Sequence, residues 1–595
     1  MLPQLSLVQP EPIPLSGTQH IQGNSAWSCH TAHSSNIHVD CIQKEYSNDT
    51  SPGQTPFLDS LKNHSPNASS LTKEHVEANG DSTGNTNDSD NPFAFDSDNC
   101  IGSYAPLVCF TCLIAFGGFV FGYDIGTIGG LIDMTPFIQT YGDTMLGNGH
   151  KAFKPITKGT IVSISCLGGF LSGIIVNKMI PYMGMRFTVF VSMLCYIVGN
   201  LLTLFSPNWK MVVVGRIFNG LSIGISQITC PMYISEITPI KQRGIFTCFN
   251  QLFTTFGIVV GSTSLLFTAT QYFPSDSAQY QYPICQGMVL AAIGGLGIWF
   301  VPESPNWLVK RNKSIKVVKK SLGSLRGLPI TDENIINLTA KLFDMNTRPV
   351  KHEKVSTNIK NIDSKSIFKG KPKYFLRTLT GVFLLGFQQF TGINFFFYYG
   401  LLIFENVNLK TPYLVPVIFG LVNLVFSCLS VCVISIFKRK ALLISGSVML
   451  SILMALFTIC GTVVKQNTNT TISLIILSCL FIAVFSLTWG PIASVIISEL
   501  FPAPIKVKAM SICGSSAWIF NFAITLLVPL LANKIGLALD WVFAGFTALA
   551  SLFVYQMIPE TKNVTTTMLD KYYEENNSIF FHSSSLSRSW GKRGA

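Results

Sequence analysis

The chain is 595 residues long, 48% of them hydrophobic and only 12% charged, and its mean hydropathy is positive. That balance excludes an ordinary water-soluble enzyme or binding module and points to a membrane protein. The formal net charge of +12 does not indicate a nucleic-acid partner, because the basic residues concentrate in one class of loop between apolar runs.

Residues 1–100 are rich in Ser, Asn, Asp, Thr and Pro with little apolar periodicity, which predicts a disordered tail. No cleavable signal-peptide pattern is visible, so the first apolar run is expected to act as the signal anchor. From there apolar stretches of roughly twenty residues recur, each long enough to cross a hydrocarbon core of about 30 Å as a helix. Twelve spans are predicted, centred near residues 117, 169, 196, 223, 256, 292, 389, 424, 453, 485, 520 and 548. The expected organisation is an all-α membrane protein: a six-helix bundle over 101–302, a basic linker with short helices over 303–374, a second six-helix bundle over 375–560 and a tail over 561–595.

The linker carries sixteen Lys and Arg. Lys241 and Arg243, then Lys438, Arg439 and Lys440, then Lys506 and Lys508 follow spans 4, 8 and 10. By the positive-inside rule these loops face the cytoplasm, and with twelve spans both termini do too. The loop holding Lys151, Lys154 and Lys158 runs against this trend. The fifteen cysteines show no metal-ligand clustering and read as small packing residues, with no disulfide framework or metal site expected.

Span 1 ends in a glycine-rich run, FGGFVFGYDIGTIGG, which allows close helix approach. Asp124 within it is a carboxyl at membrane depth and needs a partner or a proton. Arg216 of span 4 is the candidate partner. Two roles are open: a proton-coupling pair whose grip weakens on protonation of Asp124, or a permanent ion pair that holds spans 1 and 4 together.

Two motif pairs recur at an offset of about 260 residues. SEITPIKQRG after span 4 matches SELFPAPIKVKA after span 10, and PES at the end of span 6 matches PET at the end of span 12. A duplicated half follows, giving two bundles in parallel orientation with the substrate between them. Glu236, Arg243, Glu499 and Lys506 lie at the cytoplasmic helix ends, with Glu303 and Glu560 expected to bridge the bundles when the inner side closes.

Span 7 reads GFQQFTGINFFFYYG and places Gln388, Gln389 and Asn394 in an otherwise apolar segment. Each amide both donates and accepts hydrogen bonds, which suits the hydroxyls of an uncharged polyol better than an ion. Gln389 and Asn394 would lie on different faces of a continuous helix, but Gly392 between them permits a kink that lets both meet one ligand.

Together FGYDIGTIGG, GRIFNG, PMYISEITPIKQRG, FNQLFTTFGI, VPESPNWLV, QQFTGINFFFYYG, TWGPIASVIISELFP and PETK resemble the sugar-porter family of the major facilitator superfamily, and more closely the fungal hexose transporters. The resemblance implies twelve helices and alternating access. It implies a monosaccharide held among Gln251 of span 5, Gln388, Gln389 and Asn394 of span 7, Asn423 of span 8, and Trp518 and Asn521 of span 11. It also places an outer gate at Tyr398 and Tyr399. The side chains agree with that role: further neutral amides in apolar spans, and an indole able to cover a sugar ring. No cofactor or obligatory oligomer is implied.

The chain departs from the family pattern at several positions. Pro181 and Met185 stand where the loop after span 2 usually has an acid and an arginine, and Ser435 replaces an acid after span 8. Asn306 takes an arginine position, Ser494 a tryptophan position and Ala517 an asparagine position. These changes are expected to weaken the inner ion-pair network and to reshape one wall of the pocket. The leading expectation is hexose transport by facilitated diffusion across the plasma membrane. Proton symport through Asp124 and Arg216 and a transporter-like sugar sensor are the alternatives, and an enzyme is not expected.

Overall fold

The computed structural model describes residues 102–145, 150–239, 242–272, 276–347, 373–404, 412–463, 468–562, 564 and 566–575. The expected amino-terminal tail, linker residues 348–372, Lys241 and the end of the carboxy-terminal tail lie outside the described residues. Within the described part, the first six spans are Ala105–Leu131, Pro155–Met183, Met185–Leu204, Trp209–Ile237, Arg243–Gln271 and Ala278–Gly297. Span 8 is Leu414–Ile436, span 9 Arg439–Thr462, span 11 Ala503–Ile535 and span 12 Asp540–Met557.

Spans 7 and 10 are each built from two helices, Tyr374–Phe390 with Ile393–Phe404 and Thr468–Leu487 with Trp489–Leu500. Eleven helices among the described residues are long and apolar enough to cross a membrane, counting the two pieces of span 10 as one. Span 7 is missing from that set because its pieces, 17 and 12 residues, are each too short alone. It breaks at Gly392, where φ is +85°, a backbone region that glycine enters without steric cost. The Phe543 ring stands 2.9 Å from where a Cβ would lie. In span 10 Thr488 leaves helical geometry at φ −122° and ψ −84°, and Pro491 sits in the first turn of the restarted helix, where its missing N–H costs no bond.

Without a hydrophobic force between helices in lipid, close backbone packing holds such bundles. Spans 1 and 5 show it most clearly: a Cβ on Gly122 would stand 1.8 Å from the Thr254 carbonyl oxygen, and one on Gly257 2.1 Å from that of Phe119. The two halves meet chiefly where span 2 packs on span 11 and span 5 on span 8. Those two contacts exchange under the repeat offset, so the halves face each other about a pseudo-two-fold axis.

The linker's described helices, Pro305–Lys310, Ile315–Arg326 and Glu333–Thr347, share a small core of Leu308, Val309, Val318, Leu322, Ile335 and Leu342. A last helix, Thr566–Glu575, is held against span 7 by Arg377, which is fully buried, 2.6 Å from Asp570 and stacked on Tyr573. The outside loop with reversed charge is locally compensated: Lys158 pairs with Asp133, and Asp143 accepts from the Lys154 backbone and the Thr157 hydroxyl.

A branched side chain at Gly122 has nowhere to go, so Gly122→Val is expected to abolish the monodisperse peak in detergent size-exclusion chromatography. Gly545→Ala, at a position with open space around it, is expected to elute as the wild type does.

Candidate functional site

A cavity of about 170 Å³ lies between the two halves, and all seven residues singled out for substrate contact line it: Gln251, Gln388, Gln389, Asn394, Asn423, Trp518 and Asn521. The break in span 7 does what its glycine suggests. Asn394 donates to Gln389 Oε1 at 3.0 Å and to Asn521 Oδ1 at 3.1 Å, joining residues that a continuous helix would hold apart. Asn521 Oδ1 accepts also from the Thr525 hydroxyl, and Asn423 Oδ1 from the Ser486 hydroxyl at 2.6 Å. The Trp518 indole stands edge-on to Phe121, backed by Gly169, where a Cβ would lie 2.5 Å from the ring.

Gln388 has a different first task. Its amide nitrogen donates to the carbonyls of Trp489 and Gly490 at 2.9 and 3.2 Å, which ties span 7 to the first turn of the restarted helix of span 10. Sequence reasoning did not find three further lining residues, Gln227, Thr254 and Phe121. Gln227 sits among Ser226, Ile228 and Thr229, so a single amide in a weakly polar stretch gave no contrast. Of the departures from the family pattern, Ser494 and Ala517 both line the cavity.

Asp124 and Arg216 form a bidentate pair, 2.7 and 3.0 Å, both at least nine-tenths buried. Tyr196 donates to Asp124 and Arg216 donates to Ser165, each at 3.5 Å. Neither charge lines the large cavity; both touch a separate space of about 30 Å³ bounded by Tyr123, Thr127 and Asn200, room for about one water. Tyr398 is buried and lies within electrostatic reach of Asp124 and Arg216. The backbone around it closes the outer side, since a Cβ on Gly129 would stand 2.6 Å from the Phe397 carbonyl oxygen. The side chain of Tyr399 lies outside the described residues.

On the inner side Lys506 donates to Ser235 across the boundary between the halves at 2.7 Å, and Arg243 stands within electrostatic reach of Glu499 and Glu236. The expectation that Glu303 and Glu560 bridge the bundles is not met. Each instead caps a helix of its own half. Glu303 accepts from the backbone N–H of Met185 and Arg186, Glu560 from those of Arg439 and Lys440. A carboxylate suits that place because the first N–H groups of a helix have no partner within it. Burial pushes the Glu303 carboxyl above its ordinary value, and those N–H bonds oppose the shift.

One member of the inner network was missed. Arg439 donates to Glu499 at 2.9 Å, while the matching position of the first half is Met185, and Glu236 there accepts from the Ser304 hydroxyl at 2.6 Å. The repeat offset would have found Arg439 had it been applied to the start of span 9.

Two six-helix halves about a pseudo-two-fold axis, closed around an uncharged cavity, define a solute carrier of the major facilitator fold. The particular family follows from the match of residues 110–573 to the sugar (and other) transporter family, to which this chain belongs. Hexose transporter HXT14 of Saccharomyces cerevisiae is 31% identical over 480 residues, covering 79% of this chain and 88% of that one. Hexose transporter 2 of Kluyveromyces lactis is 31% identical, covering 80% and 83%. Among solved structures, the proton:xylose symporter XylE bound to 6-bromo-6-deoxy-D-glucose superposes with a TM-score of 0.66 at 22% identity, covering 79% of this chain and all of that one. That likeness concerns the fold.

Asp124→Asn leaves Arg216 charged and buried, a change that costs about 3–5 kcal/mol when one partner of a buried pair is removed. A clear fall in melting temperature of the purified protein is expected. The double replacement Asp124→Leu with Arg216→Met removes both charges and is expected to recover most of the loss.

Proposed function

We propose that the protein carries a hexose across the plasma membrane by alternating access, as a facilitator. The observation that carries this reading is the lining of the cavity: seven neutral amides and a tryptophan, with no charged side chain among the described lining residues. An ion would find no counter-charge there, and an apolar solute would strand the amides. A polyol satisfies both walls, its hydroxyls donating and accepting while its C–H face lies on Trp518. The contacts above and below the cavity describe a closed form, and Lys506 to Ser235 on one side and span 7 against Gly129 on the other are the contacts that alternate. The basic loops put the inner network and both termini in the cytoplasm.

Facilitation is favoured because Asp124 and Arg216 hold each other in a bidentate pair outside the cavity, where no substrate reaches them. Proton symport is the second reading, and Tyr398 favours it, since this buried phenol of span 7, the span that supplies Gln388, Gln389 and Asn394, lies near the pair.

Uptake of radiolabelled glucose, fructose and galactose in cells lacking their own hexose carriers tests these readings. Uptake that equilibrates and survives a protonophore is expected. Accumulation abolished by the protonophore would establish symport, and absence of uptake from well-expressed surface protein would refute transport. Asn394→Ala removes the bonds that orient Gln389 and Asn521 at the cavity and leaves Gly392 and Gln388 in place, so a rise in KM of about tenfold is expected from the lost preorganisation at unchanged surface level.

A further inference from the structure

The cavity amides differ in how far they are committed. In the carboxy-terminal half, Gln388 donates to the Trp489 and Gly490 carbonyls, and Asn394 to Gln389 and Asn521. Those two amides have their donors engaged before any ligand arrives. The amino-terminal half contributes Gln227, which lines the cavity while its side-chain nitrogen is turned away from open space and has no hydrogen-bond partner among the described residues, so a turn of the amide would bring an unengaged donor to the cavity.

Its position narrows what would satisfy it. Gln227 lies toward the cytoplasmic end of span 4, and the next residue, Ile228, packs against Gly514 of span 11, where a Cβ would stand 2.7 Å from the Ile228 side chain. The amide is therefore at the floor of the cavity, where span 4 meets the opposite half. A buried donor without an acceptor is costly, and an apolar residue would fill the place without that cost. Gln251, the other amide of this wall, lies over Gly490, with its nitrogen 3.4 Å from where a Cβ on that glycine would be.

We infer that Gln227 donates a hydrogen bond from the cavity floor to one hydroxyl of the bound hexose and thereby sets discrimination at that hydroxyl. The assignment rests on the hexose reading above. A site built to bond one hydroxyl rejects an analogue lacking it far more strongly than an apolar wall can, because the amide is then left unpaired.

The test measures Vmax/KM for D-glucose and its 2-, 3- and 6-deoxy analogues in carrier-deficient cells, for wild type, Gln227→Leu and, should leucine reduce surface protein, Gln227→Met. Wild type is expected to disfavour one analogue by about tenfold or more. In the variant glucose is expected to fall to the level of that analogue while the analogue itself is unchanged, so that the difference disappears at that one position. A variant that lowers all four sugars alike, or none, overturns the assignment while leaving hexose transport standing. A wild type at the cell surface that takes up none of the four overturns the hexose reading and this assignment with it.

Discussion

The breaks in spans 7 and 10 are the constraint on which the rest of the site depends. At membrane depth no water serves an open carbonyl, so irregular backbone survives there only where protein satisfies it or a cavity reaches it. Gln388, in the first piece of span 7, donates to the carbonyls of Trp489 and Gly490, the first two residues of the second piece of span 10, and so ties one broken span to the other. The break at Gly392 in turn places Asn394 beside Gln389 and Asn521. The breaks and the amides thus gather around one cavity, which Gly490, Gln388, Gln389 and Asn394 all line.

The duplicated halves divide the remaining work unequally. Glu303 and Glu560 do the same thing twice, each fixing the start of a helix in its own half. Around Glu236 and Glu499 the symmetry fails, because Arg439 has Met185 as its counterpart. The first half therefore holds its acid with a neutral Ser304 hydroxyl, the second with a guanidinium. The hydroxyl donates without bringing a counter-charge, and the guanidinium brings one. The inner contact between halves then rests on Lys506 and the field of Arg243 and not on a symmetric set of ion pairs.

Much of this was legible in the sequence, for reasons of period and chemistry. Long apolar runs with few charges define spans, so all twelve centres fall within observed helices or, for residue 389, at the end of the first piece of span 7. The cavity amides were visible because neutral amides stand out against Phe, Leu and Ile. What the sequence hid were partnerships that depend on three-dimensional closure. Nothing in the residues around Thr488 says that Gln388, about a hundred positions earlier, will bond the first two carbonyls of the helix that restarts there. Glu303 and Glu560 look like gate charges because each ends the last span of its half in a matching PES or PET motif, yet each is drawn to the nearest unpaired helix N–H groups. Gln227 was masked by the serine and threonine beside it.

The same accounting bears on the buried charges. The guanidinium of Arg216 bonds both oxygens of Asp124, its Nε has no partner among the described residues, and Ser165 is reached only at 3.5 Å. Protonating Asp124 would leave a cation in the bundle with little more than a distant hydroxyl. Such a state is costly unless another group moves in. Tyr398 stands within electrostatic reach of both charges. A rearrangement of span 7 that moved this tyrosine would thus change the surroundings of the pair. While the two charges stay together, they brace span 1 against span 4.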